Sequence, residues 1–171
     1  MNAELKGKIA AALAEKPDGV LEAVAAKCDA SLAQVFACLP EDQVRLFEGS
    51  AFENLWATLT TWGEVLFIVH TADIVLECVG ALPEGSSAHG YFNIHGDSPI
   101  GGHIKASNCA KIAVVDRPFH GKRSCSVQFL NGDGNAMFKV FVRRDKERQL
   151  LPEQLERFEA LKSGAMFQSA A

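Results

Sequence analysis

The five cysteines, Cys28, Cys38, Cys78, Cys109 and Cys125, include no C-x-x-C pair. Their odd number and irregular spacing exclude a disulfide framework and a zinc ribbon, and reduced thiols serving as small core side chains fit them better. No apolar run approaches the roughly 18 residues of a membrane-spanning helix. The start, MNAELKGKIAAALAEKPDG, lacks the basic stretch, compact apolar core and cleavage site of a secretory signal, so a cytoplasmic setting is expected. Basic residues are the minority: 17 Lys and Arg against 21 Asp and Glu leave a net charge of −4, without the cationic surplus that non-specific nucleic-acid binding needs. H-E-x-x-H, G-x-S-x-G, Walker A and a G-x-G-x-x-G between strand and helix are all missing.

What is present is ordinary globular composition, 48% hydrophobic and 22% charged over 171 residues, enough for one domain spanning residues 1–171. Residues 1–62 read as helical. Leu5, Ile9, Ala12 and Leu13 form one apolar stripe ending at KPDG, and Leu21, Val24, Ala25 and Cys28 form the next. SLAQ is a capping box, with Ser31 answering Gln34, and opens a helix carrying Leu32, Val35, Phe36 and Leu39 inward. Pro40 suits the first turn of a short helix over residues 41–47, and a second capping box, SAFE, opens one with Phe52, Leu55, Trp56 and Leu59 buried. From residue 63 to 171 the period changes to that of strands: EVLFIVH, IVLECVG, GYFNIHG, HIKA, KIAVVDR, CSVQFL and AMFKVFVRR. Cys125, Val127 and Phe129 point one way and Ser124, Ser126 and Gln128 the other, while NGDG signals a hairpin. LPEQLERFEALK reads as a closing helix with Leu151, Leu155, Phe158 and Leu161 inward. The fold class is α+β: N-terminal helices, an antiparallel sheet, and a C-terminal helix packed on one sheet face.

Chemistry-bearing groups are few. VLEAVAAKCDASLAQVFACL has the rhythm of a helix-turn-helix, but its second helix contains no Lys or Arg, which favours a helical packing module over a DNA reader. His89, His95 and His103 are spaced six and eight apart with no carboxylate cluster, a weak pattern for zinc or non-haem iron. No cysteine has an adjacent His and a helix N-terminus to activate it. GDSPIGGHIKA offers glycines for a tight turn or for close backbone approach to a flat ligand. His70 ends one apolar strand and His103 begins another. Two such imidazoles suit an iron porphyrin, whose propionates would seek Lys105, Lys111, Arg117, Lys122 or Arg123. On the residues alone, hydrogen-bonded core or surface histidines are the plainer reading.

The strings FIVHTADIVLECVGALPEG, HGYFNIHG, GHIKASNCAKIAVVDRPFHG and GNAMFKVFVRRDKERQLLPEQ, with KPDG and LPEDQVRL upstream, resemble the HutX/ChuX family of cytosolic haem-utilisation carriers. The resemblance runs over nearly the whole chain. It implies a fold related to half of the duplicated HemS/ChuS-type proteins, a homodimer built through the sheets, and binding of imported haem for storage or delivery to a haem-degrading enzyme. It places the haem ligands in the VHTAD and GHIKA motifs, at His70 and His103; of the basic residues available for propionates, Lys105 and Arg117 are the expected further haem contacts. Tyr91, His89, His95 and His120 are the substitutes if a member uses another axial ligand. A haem-degrading enzyme, or a haem-responsive regulator built on the N-terminal helices, is the competing reading.

Overall fold

A computed structural model describes residues 1–164. Three short helices come first, α1 (Ala3–Glu15), α2 (Leu21–Cys28) and α3 (Leu32–Phe36), followed by a strand, β1 (Val44–Glu48), and a fourth helix, α4 (Phe52–Thr60). Eight strands follow: β2 (Glu64–His70), β3 (Val75–Ala81), β4 (Gly85–Ala88), β5 (Tyr91–Ile94), β6 (Gly102–Ile104), β7 (Cys109–Phe119), β8 (Lys122–Asn131) and β9 (Ala136–Phe141). α5 (Pro152–Ser163) is the last element among the described residues. The main sheet has the order β1-β7-β8-β9-β2-β3, antiparallel throughout, and β4-β5-β6 form a small second sheet.

The α+β class is as expected, with two local differences. Residues 44–48 form a strand instead of a helix, because Val44 to Glu48 pair in register with Val115 to Lys111 of β7 and close that edge of the sheet. Tertiary pairing overrides the helix-start signal of Pro40 and Glu41. The SAFE capping box does not form either: α4 is entered from a 3₁₀ turn, Gly49–Ala51, with Ala51 at the cap, and Glu53 instead accepts a 2.6 Å hydrogen bond from Ser87. The first box forms fully around Ser31 and Gln34. α3, at five residues, is too short to serve as a recognition helix.

The two faces of the main sheet are covered differently. On the first, α4, α5 and the small sheet enclose Ile112, Val114, Val127, Phe129, Phe138 and Val140, with Phe52, Trp56 and Phe92 in ring contact at centroid separations of 5.3 to 6.2 Å. On the second, α1, α2 and α3 bury Ile9, Leu21, Val35 and Phe36 against Ala113, Val115 and Leu130. The KPDG segment fixes this helical layer. Arg117 donates to the carbonyls of Pro17 and Gly19, and Asp18 accepts from the backbone N–H groups of His120 and Gly121 at the tip of the β7–β8 hairpin. The three helices pack over β7, the end of β8 and Ala136 at the start of β9, and leave the rest of the second face, toward β2 and β3, open.

Candidate functional site

The uncovered half-face is a pocket of about 500 Å³ between the start of α2 and the β8-β9-β2-β3 side of the sheet. That volume lies within the range of small-molecule and cofactor sites. Strand alternation builds its surface. Leu66, Ile68 and His70 of β2 face it because Val65, Phe67 and Val69 face the core, and Val75, Glu77 and Val79 continue it on β3. Val20, Leu21 and Phe119 supply apolar walls.

The floor is polar and buried. Ser126, Gln128 and Lys139 line it with 2%, 5% and 5% of their surface exposed. Gln128 donates from Nε2 to Ser126 Oγ over 3.1 Å, and its Oε1, fully buried, has no partner. Lys139 contacts the Glu22 carboxylate, and burial nevertheless pulls its ammonium down to about 8. The same carboxylate lies 3.5 Å from Nδ1 of His70, whose side chain is 24% exposed at the pocket rim. His70, Glu22 and Lys139 thus form one line of polar groups leading from the opening to the floor. Arg143 and Arg144 add positive charge, partly held by Glu64 and by backbone carbonyls.

His103 lies elsewhere. It sits on β6 opposite Asn93 of β5, on the outer surface of the small sheet, while Phe92, Ile94 and Ile104 face the core. Tyr91 and His95 stand beside it with ring centroids 6.0 and 5.3 Å away, and Lys105 lies 5.6 Å over the Tyr91 ring. The core and the main sheet separate this surface from the pocket, so a single chain does not bring His70 and His103 together. Lys105 accompanies His103, and Arg117 accompanies His70. Both terminal nitrogens of Arg117 are taken by the Pro17 and Gly19 carbonyls, leaving Nε buried without a partner. Lys111 is paired with Glu48. Arg123 is paired with Asp116 and Glu159.

Of the other candidates, His89 and His120 occupy two-residue hairpin turns, each at positive φ before a positive-φ glycine, Gly90 and Gly121. Burial pushes the Cys109 thiol up to about 11 and the Cys125 thiol up to about 12, which disfavours the reactive thiolate at these two positions. Among the described residues no group of three or more His, Cys, Asp or Glu gathers to hold a bare metal ion, and no helix is long and apolar enough to cross a membrane. The sequence reading missed Glu22, Gln128 and Lys139. A lysine inside AMFKVFVRR was the available signal, since an inward-facing charge in a central strand needs a reason.

Comparison with known proteins adds independent findings. Residues 45–161 match the family model described as haem utilisation ChuX/HutX. The chain is 32% identical over 158 residues to the intracellular heme transport protein HutX of Vibrio cholerae, covering 92% of this chain and 82% of that protein. A crystal structure from Agrobacterium tumefaciens, 53% identical, superimposes with a TM-score of 0.87 over 94% of this chain and 91% of its own. The heme binding protein ChuX, 40% identical, gives a TM-score of 0.83 over 92% of this chain and 99% of its own. At 17% identity, apo-PhuS, a heme-binding protein from Pseudomonas aeruginosa, shares the fold over 91% of this chain and 47% of its own, with a TM-score of 0.71. The expected kinship with half of a HemS/ChuS-type protein is borne out at the level of fold.

Proposed function

Because this chain belongs to the ChuX/HutX haem-utilisation family, we propose that it is an intracellular haem carrier with the open half of the main sheet as its haem surface. The observation that carries this reading is an apolar pocket of about 500 Å³ with an imidazole at its rim, His70, whose Nδ1 faces a carboxylate. Leu66, Ile68, Val75 and Val79 would cover the macrocycle, and Nε2 of His70, turned away from Glu22, would bind iron. A carboxylate behind the other ring nitrogen raises the basicity of such a ligand. Arg117, Arg143 and Arg144 line the same pocket and would attract the propionates.

His103 and Lys105 form the second half of the proposal. Axial ligands lie on opposite faces of a porphyrin, with nitrogens roughly 4 Å apart for bonds of about 2 Å. One chain cannot supply both from His70 and His103; two copies can, each lending the outer surface of its small sheet to the other's pocket. The homodimer is therefore part of the reading, supported by the exposed apolar residues Ile74, Val75, Leu76 and Val79 on and beside β3. A partly open, two-chain site suits a carrier that must release its cargo, with a haem-degrading enzyme as the proposed recipient.

The test is a hemin titration followed at the Soret band. The wild type is expected to saturate, and His70→Ala and His103→Ala to bind at least about tenfold more weakly. Equal affinity in the double variant refutes the ligand assignment. Adding a reductant with catalase present checks the enzymatic alternative: a carrier keeps its Soret band, whereas a degrading enzyme converts it to a biliverdin-like spectrum.

A further inference from the structure

Asn93 has both ends of its amide engaged. Its Nδ2 lies 3.2 Å from the Ser86 carbonyl, 3.1 Å from that of Ala88 and 3.2 Å from that of Tyr91. Carbonyl oxygens only accept, so this end must be the NH₂ group, its two hydrogens shared among three acceptors. Turning the amide over would set Oδ1 against three carbonyls and lose every one of these bonds. The other end is thereby fixed as oxygen, and it lies 2.6 Å from Nδ1 of His103.

An oxygen acceptor at that distance requires a hydrogen on Nδ1. A neutral imidazole carries one ring hydrogen, so the lone pair is left on Nε2. The arrangement is held by backbone on both sides. Asn93 is paired with Ser86 of β4 and with His103 of β6, and the β4–β5 turn is the tight His89-Gly90 hairpin. His95 and Tyr91 meet the His103 ring at interplanar angles of 73° and 68°, which restricts its rotation.

We propose that Asn93 is a positioning residue for iron binding, locking His103 in its Nδ1–H tautomer and presenting Nε2 outward as the ligand atom. This rests on His103 being a haem ligand and adds which atom binds and what selects it. Metal-bound histidines commonly donate their other N–H to an acceptor, and removing such an acceptor weakens metal binding by roughly 10- to 100-fold.

Two-bond ¹H–¹⁵N correlation spectra of the haem-free protein, recorded at about pH 8 where an ordinary imidazole is neutral, test it. Wild-type His103 is expected to show the Nδ1–H pattern, in contrast to the Nε2–H form that a free imidazole prefers. In Asn93→Ser the pattern should shift toward Nε2–H and hemin affinity should fall about tenfold or more, with His70 and His120, which lie outside the small sheet, unshifted as a check on the fold. An Nε2–H pattern in the wild type overturns the proposal, as does an Nδ1–H pattern that persists in Asn93→Ser. The wild-type spectrum decides by itself if the variant does not fold. Failure of the ligand reading registers separately, as unchanged hemin affinity in His103→Ala whatever the tautomer.

Discussion

A lysine with 5% exposure on the floor of an apolar pocket is costly to keep charged, and Lys139 shows the cost as an ammonium pulled down by burial to about 8. Between pH 8 and its ordinary 10.5, the unfolded chain binds more of this proton than the folded one, so stability should rise as pH climbs through that window. Urea unfolding of the wild type is expected to show this gain, roughly 2–3 kcal/mol, and Lys139→Met to lose it. A flat wild-type profile would mean the lysine is solvated. Asp116 gives the same sign of slope in an acid window, as a group that stabilises the fold when charged. Burial would raise its pKa, but hydrogen bonds from Arg123 and Lys162 hold it at about 2 against an ordinary 3.8. Its contribution is therefore present above pH 3.8 and lost as pH falls toward 2. Asp116→Asn should lower stability by about 1–2 kcal/mol at neutral pH, allowing for solvent screening, and leave the protein less sensitive to acid in that window. At this scale the sequence was partly legible. His70 and His103 stood out as imidazoles in apolar strands, whereas the Glu22–Lys139 pairing joins residues 117 apart that no local pattern connects.

Elements fold as their local chemistry dictates where tertiary contacts agree with it. The Ser31 capping box, the NGDG hairpin and the stripes of α1, α2, α4 and α5 were readable because each signal lies within a few residues of the element it starts or ends. Residues 44–48 were not, nor was the destination of Ser124, Ser126 and Gln128, although their alternation with Cys125, Val127 and Phe129 was readable. The first pair with a strand about 70 residues away, and the second face a polar pocket floor rather than solvent. Glycines separate the two kinds of constraint. A Cβ on Gly49 would lie 1.9 Å from the Cys109 carbonyl oxygen, where the 3₁₀ turn crosses the start of β7, whereas a Cβ on Gly7 of α1 meets nothing within 4 Å. Gly49→Ala is expected to destabilise by at least about 2 kcal/mol, and Gly7→Ala to stabilise by roughly 0.5–1 kcal/mol, both measured by thermal or urea unfolding. A tolerated Gly49→Ala would contradict the close approach of the turn to β7.

For the whole molecule, the division of the main sheet into a helix-covered half and an open half locates the proposed haem surface, and the small sheet carries His103 to the far side. If two copies complete each site, mixing His70→Ala chains with His103→Ala chains produces a hybrid in which one of the two sites regains both imidazoles. Its ferric spectrum should recover bis-histidine character that neither variant shows alone; no recovery would mean that each chain binds haem unaided. A charge on the exposed strand outside the pocket lining, as in Leu76→Glu, should shift sedimentation toward a monomer and weaken hemin binding with it. The most direct test is where a porphyrin lies. Diamagnetic zinc protoporphyrin added to methyl-labelled protein should give nuclear Overhauser contacts from the macrocycle to the methyl groups of Leu66, Ile68 and Val79, which line the open half-face. Contacts confined to methyl groups outside the pocket, with none to these three, would contradict the account.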